Sequence, residues 1–194
     1  PEVTPETLRV MAGHMTGVAE LLPQGLAALG YGCTSGSVMI GGDEVARLIQ
    51  LAHPGVPVTN PMQAVIKGLK ALGAQRIALV SPYLPSVTAP MRAHMADHGI
   101  EVIHEISFGE GDDRRVARIS EASTRAAMIK AGRAKGVEAV FSSCTNLRSF
   151  GVIEAVEAAL DLPVISSNLA LGWDLMRLGG QAARAQLLAL LDRL

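Results

Sequence analysis

Short β-branched runs alternate with longer amphipathic segments along this chain, and that alternation points to an α/β fold with mostly parallel strands. The plainest strand is Arg76 to Ser81 (RIALVS), whose apolar centre Ile77 to Val80 is of the kind buried on both faces, leading into Pro82-Tyr83-Leu84-Pro85. Further strands are predicted at Leu26 to Tyr31, Val56 to Thr59, Glu101 to Ile106, Glu138 to Ser142 and Pro163 to Ser166. Between them lie helical patterns. Thr4-Pro5-Glu6 reads as an N-cap, an N1 proline and an acidic first turn. Leu8, Met11, Met15, Val18 and Leu22 continue it at helical spacing to Pro23. Helices are also predicted over Asp43 to Ala52, from Asn60-Pro61 onward, over Val87 to His98 and over Ser120 to Lys135. Another runs to Leu160, and the C-terminus is helical with a break at Gly179-Gly180. Gly109 to Asp113 reads as a polar loop.

The two cysteines occupy matching places in this pattern. Tyr31-Gly32-Cys33-Thr34-Ser35 and Ser142-Ser143-Cys144-Thr145-Asn146 are both strand ends that carry Cys-Thr ahead of a predicted helix. In open parallel sheets the ligand crevice forms at the carboxyl ends of the strands. A thiol at a helix N-terminus is expected to have a lowered pKa, and the N–H groups of Thr34, Ser35, Thr145 and Asn146 are placed to hold a carboxylate. Two thiols on opposite sides of a bound carbon can act as a base and acid pair, or one can add to a double bond while the other supplies the proton. Neither route calls for a metal or an organic cofactor. The alternative for each cysteine alone is a small buried hydrophobe.

Composition narrows the partners. A net charge of −1 without a Lys/Arg block argues against nucleic acid and anionic membranes. One Trp, two Tyr and three Phe supply no stacking platform for single strands. No apolar run reaches the roughly 18 residues of a membrane span, and no signal peptide is visible. A cytoplasmic protein with free thiols is expected.

At these residues the sequence resembles the aspartate/glutamate racemase superfamily, and within it the branch of maleate cis-trans isomerase and the ectoine-utilisation protein. Tyr31 to Ser37, Cys144 to Arg148 and Pro82-Tyr83-Leu84 carry the resemblance, supported by PEVTPET at 1–7, VTNP at 58–61 and PVISSN at 163–168. It implies two pseudo-symmetric lobes with the active site between them, the last helix returning to the first lobe. The first lobe is then expected at 1–55 plus 170–194 and the second at 56–169. Family members begin with a strand and a loop that nothing before Pro1 supplies, so an N-terminal segment is expected to be missing from the sequence. In maleate isomerases the first cysteine adds to the double bond and the second acts as acid and base, which implies Cys33 as nucleophile and Cys144 as proton donor and acceptor. The resemblance also implies hydrogen bonds from Thr34, Ser35 and Tyr83 to one substrate carboxylate, and binding by Thr145 and Asn146 from the other lobe.

The function these readings imply is a cofactor-independent isomerase or racemase. Its substrate is a small carboxylate, either a maleate-like dicarboxylate or an amino-acid-type intermediate of ectoine breakdown. Two alternatives stand beside it: a non-catalytic carboxylate-binding protein on the same fold, and a decarboxylase of the arylmalonate type. Arylmalonate decarboxylases keep only the second cysteine, so Cys33 speaks against the latter. The expected partners are the carboxylate substrate and further copies of the chain, as a homo-oligomer. His94 and His98 have the spacing of a two-histidine metal face but no third ligand nearby in sequence, and no metal is expected. Gly36, Gly41 and Gly42 lack dinucleotide-fingerprint spacing.

Overall fold

The computed structural model describes residues 3–180. Two parallel sheets flanked by helices make up the fold. The chain opens with α1 (Pro5–Val10) and α2 (Ala12–Ala19), followed by β1 (Leu29–Gly30), α3 (Thr34–Ile40), α4 (Gly42–Ala52) and β2 (Val58–Thr59). Next come α5 (Pro61–Ala71), β3 (Arg76–Ser81), α6 (Pro85–Asp97), β4 (Glu101–Ser107), α7 (Asp113–Val116) and α8 (Glu121–Gly132). The described part ends with β5 (Ala139–Ser142), α9 (Ile153–Leu160), β6 (Val164–Ser166) and α10 (Ser167–Leu178).

The larger sheet has the order β4-β3-β5-β6, with Val80 opposite Ser142 and Ser142 opposite Ser166. Strand periodicity divides its side chains between two cores. Ile77, Leu79, Phe141 and Ile165 face one way, against Met62, Val65, Leu69, Met91 and Met95 of α5 and α6. Ala78, Val80, Val140 and Val164 face the other, against Met128 and Val156 of α8 and α9. Burial on both faces is what the unbroken apolar runs of these strands require. The helices start where side chains can take up orphan N–H groups. Asn60 accepts from Gln63 N at 3.0 Å ahead of Pro61, Ser120 accepts from Ser123 N at 3.1 Å, and Ser166 accepts from Leu169 N at 3.1 Å.

The smaller sheet pairs Leu29 with Val58 and Gly30 with Thr59. Val58–Thr59, placed by the sequence reading at the start of the second lobe, is thus hydrogen-bonded to β1 and not to the four-stranded sheet. Helix α10 packs on α5 and crosses to β1. A Cβ at Gly30 would lie 3.0 Å from Leu175 Cδ1 and 3.2 Å from Leu171 Cδ1, so glycine sets that approach. The buried Asp174 carboxylate fastens α10 at this junction. It accepts from Thr59 Oγ1 at 2.5 Å, Lys67 Nζ at 2.6 Å and Arg177 Nη2 at 2.7 Å.

Three local expectations are corrected. The first helix is interrupted at Met11, ahead of Gly13, and ends at Ala19. The Gly109 to Asp113 loop closes into the short helix α7, which Asp112 caps through Arg114 N at 2.9 Å. After Cys144 the chain turns through Ser149 and a 3-10 turn (Phe150–Val152) before α9 begins. The C-terminal helix does stop at Gly179, and the part of the first-lobe expectation that falls on 181–194 lies outside the described residues. Among the described residues no helix is long and apolar enough to cross a membrane.

Candidate active site

Both cysteines emerge from carboxyl ends of parallel strands. The Tyr31 N–H bonds Thr59 O at 3.0 Å and ends β1; the Ser143 N–H bonds Val80 O at 2.8 Å and ends β5. Beyond these bonds the chain leaves each sheet, and both thiols line one cavity of about 360 Å³.

Cys33 is the N-cap of α3, and its sulfur accepts the Gly36 N–H at 3.3 Å. The Ser35 hydroxyl lies 3.7 Å from the same sulfur. Thr34 and Ser35 open the helix, so their N–H groups have no carbonyl one turn back to receive them. Tyr31, two residues before Cys33, donates its hydroxyl to Met11 Sδ at 3.6 Å and keeps it beside the Cys33 sulfur. Burial, with the Cys33 charge and hydrogen bond adding to it, pushes the Tyr31 phenol well above its ordinary range, so it stays protonated as a donor. Gly36 makes this possible: a Cβ there would sit 2.3 Å from the Tyr31 oxygen and 3.1 Å from Cys33 Sγ.

Cys144 is buried, 6% exposed, and has φ +106°, a conformation rarely adopted by residues with a side chain. Holding it there costs about 1–3 kcal/mol, and neighbouring bonds fix the turn. Its N–H donates to Ser167 Oγ at 3.1 Å, and the same oxygen accepts from Thr34 Oγ1 at 2.8 Å. Ser167, fully buried at the start of α10, thereby joins the two cysteine turns. Thr145 Oγ1 makes a second junction by donating to Gly32 O at 2.8 Å, and Asn168 Nδ2 holds the Thr145 carbonyl at 2.9 Å.

The expected depression of both thiol pKa values is not met at Cys144. Burial pushes this thiol up, outweighing hydrogen bonds from the Tyr83 hydroxyl and the N–H groups of Asn146 and Leu147, while the Asp113 charge adds to the rise. The physical reason is plain in the backbone: an irregular turn follows, not a helix, so no aligned helix dipole offsets desolvation. Tyr83 is itself fully enclosed, and burial together with the Cys144 charge and hydrogen bond raises its phenol well above the ordinary value. Each thiol therefore has a protonated tyrosine beside it.

The structure brings Cys33, Thr34, Ser35, Tyr83, Cys144, Thr145 and Asn146 around one cavity. It also commits several of their side chains. The Thr34 hydroxyl is spent on Ser167, that of Thr145 on Gly32, and the Asn146 amide donates to Asp113 O at 2.8 Å and Oδ1 at 3.0 Å. What Thr34 and Ser35 present to a ligand is their N–H groups, with the Ser35 hydroxyl beside them. Val3, Leu8 and Met11 supply an apolar wall. Sequence reasoning missed Tyr31, Asp113 and Ser167 as site residues. For Tyr31 a signal is present, because residues two apart in extended backbone share a face, and Cys33 is extended. His94 and His98 stand apart on α6, ring centroids 4.6 Å apart, with His98 Nδ1–H donating to the His94 carbonyl. Among the described residues no group of three His, Cys, Asp or Glu side chains is placed to hold a metal.

Chemically, the arrangement offers two sulfurs in one cleft, one half-exposed and one buried and proton-bearing, each with a neutral phenol beside it. The sequence matches the arylmalonate decarboxylase family over residues 2–191. It is 32% identical to arylmalonate decarboxylase of Bordetella bronchiseptica over 133 residues, 68% of this chain and 55% of that protein's length. To maleate isomerase of Nocardia farcinica it is 28% identical over 184 residues, 90% of this chain and 73% of that one. In three dimensions it is similar to the maleate isomerase Iso from Pseudomonas putida S16, with TM-score 0.84 and 26% identity, covering 94% of this chain and 77% of that one. It is likewise similar to a liganded double mutant of arylmalonate decarboxylase, with TM-score 0.86 and 31% identity, covering 95% and 80%. The chain belongs to the arylmalonate decarboxylase and maleate isomerase family of the Asp/Glu racemase-like superfamily, whose chemistry is cysteine-based and cofactor-independent.

Proposed function

We propose that the protein is a two-cysteine isomerase or racemase acting on a small carboxylate, either a cis-dicarboxylate or an amino-acid-type intermediate such as ectoine breakdown supplies. The observation that carries this reading is the pair of thiols in one cavity, each with a tyrosine hydroxyl beside it, half-buried Tyr31 at Cys33 and buried Tyr83 at Cys144. A decarboxylase that only reprotonates a carbanion needs one donor. The second sulfur, with its own phenol and a helix turn built around it, has no role in that reaction.

On an alkene substrate, the Cys33 thiolate adds to one carbon and forms a C–S bond while Cys144 gives its proton to the neighbouring carbon. The C–C bond is then single and rotates. Cys144, now a thiolate held by Tyr83, takes the proton back; the C–H electron pair restores the double bond as the C–S bond breaks, and the C–S pair leaves on Cys33 as its thiolate. On a substrate with an acidic Cα–H, one thiolate removes that proton and the other thiol delivers its own to the opposite face. In both cases the carboxylate gathers negative charge, and the N–H groups at the start of α3 lie where that charge develops.

Proton NMR in heavy water with maleate, aspartate, 2,4-diaminobutyrate and its N-acetyl forms tests the proposal. Fumarate formation or Cα deuteration that requires both cysteines is the expected result. No turnover of any of these compounds, with thiols inert to iodoacetamide across neutral pH, would replace it with a carboxylate-binding protein.

A further inference from the structure

Among the described residues, Asp113 is the one charged side chain that lines the cleft. Asp113, at the first position of α7, lines the cavity together with both thiols. Its main-chain carbonyl and Oδ1 accept from the Asn146 amide, which pins the side chain beside the Cys144 turn. Its charge is close enough to Cys144 to oppose ionisation of that thiol. Among the described residues no Lys, Arg or His side chain lines the cavity. The two arginines that follow Asp113 are engaged elsewhere: Arg114 pairs with Asp112 at 2.9 Å and Arg115 with Glu110 at 3.2 Å, both with their heads largely in solvent.

A half-buried carboxylate fixed at the mouth of a reaction cleft has a definite effect on ligand choice. A plain dicarboxylate would bring two further negative charges next to it, and the neutral donors of the cleft would have to outweigh that repulsion. A ligand carrying an ammonium group would meet an oriented counter-charge. We propose that Asp113 reads an ammonium group on the substrate, so that the cleft selects a small carboxylate bearing an amine over its amine-free counterpart. This rests on the two-cysteine reading of the same site and gives it a substrate class. The carboxylate end goes to the N–H groups of Thr34 and Ser35, the ammonium end to Asp113, and the carbon between them lies at the sulfurs. With a bound amino acid, Cα–H inversion becomes the favoured branch of the proposed chemistry.

Protection of Cys33 against iodoacetamide reports binding without requiring turnover. The paired ligands are aspartate with succinate and 2-aminobutyrate with butyrate, each pair differing only by the amine. A charge-assisted hydrogen bond is worth on the order of tenfold to a hundredfold in affinity. The amino compound of each pair is therefore expected to protect the wild-type chain at about tenfold lower concentration or less. In Asp113→Asn, which keeps the Oδ1 acceptor for Asn146, the ratio should collapse towards one, and Asp113→Glu should restore a preference. Equal protection by both members of a pair, or a preference that survives in Asp113→Asn, would overturn the role of Asp113 while leaving the two-cysteine reading in place. If no carboxylate protects Cys33 and none in the NMR panel reacts, both readings fall together.

Discussion

Replacing Tyr83 by Phe tests how the buried thiol is made usable. Burial alone pushes Cys144 towards the neutral form, and the Tyr83 hydroxyl is the strongest of the groups that pull the other way, followed by the Asn146 and Leu147 N–H groups. Phe keeps the ring volume and removes only the donor, so the enclosing wall of Val87 and Met91 should hold its packing. A hydrogen bond to a charged acceptor is worth about 1.5–3 kcal/mol. Two N–H donors remain, that of Asn146 at 3.4 Å from the sulfur and that of Leu147, and they recover part of that. The Cys144 thiolate population at a fixed neutral pH should then fall about tenfold, since 1.36 kcal/mol corresponds to a factor of ten. The assay is the rate of iodoacetamide alkylation against pH in a Cys33→Ser background, where Cys144 is the sole thiol. The rising limb should move to higher pH in Tyr83→Phe, with the plateau unchanged. An unmoved profile would refute the claim that the phenol stabilises the thiolate.

Other substitutions probe the supports. Ser167→Ala leaves the Cys144 N–H and the Thr34 hydroxyl without their shared acceptor; about 1–3 kcal/mol of stability should be lost in denaturant unfolding, and kcat should fall more than KM rises. In Gly36→Ala the new methyl meets two side-chain ends, the Tyr31 hydroxyl at 2.3 Å and Cys33 Sγ at 3.1 Å, so the melting temperature should change little while alkylation of Cys33 changes rate as both shift. Burial pushes the Asp174 carboxyl up, but bonds from Lys67, Thr59 and Arg177 outweigh it and hold it below its ordinary value of 3.8. Its contribution to stability is therefore complete above that value and is lost as pH falls through the lower folded-state value. Asp174→Asn should flatten this part of the acid unfolding curve, at a neutral-pH cost of about 1–2 kcal/mol because Lys67 and Arg177 are half-exposed and can rehydrate.

Much of this molecule is legible in its residues, for reasons that can be named. Arg76 to Ser81 is readable because both faces of its centre are buried, which leaves an unbroken apolar run, Ile77 to Val80, bounded by Arg76 and Ser81. Asn60-Pro61 and Ser120 are local caps and announce their helices without tertiary help. The positions of Cys33 and Cys144 follow from the strands that precede them. What stays hidden depends on distant partners or on backbone angles. The positive φ of Cys144 carries no glycine signature, because Ser167 and the turn impose it from outside, so a continuous helix was the natural expectation there. The raised thiol follows from that same burial. Asp113 is hidden because its loop is rich in charge and looks solvated. Only its bond to Asn146, 33 positions away, turns it into the cleft. The pairing of Val58–Thr59 with β1 is hidden for the same reason, because its partners lie some thirty positions back in the chain.

The central claim is that both sulfurs take part in one reaction. The most direct measurement is turnover by Cys33→Ser and Cys144→Ser against wild type, on whichever compound of the NMR panel reacts, with melting temperatures recorded alongside. General acid–base groups typically contribute 10²–10⁴-fold, and each serine keeps the shape of the cavity. The account predicts a loss of at least about 10²-fold in each variant with the fold intact. Near-wild-type turnover in either one would show that a single thiol suffices, and would contradict it.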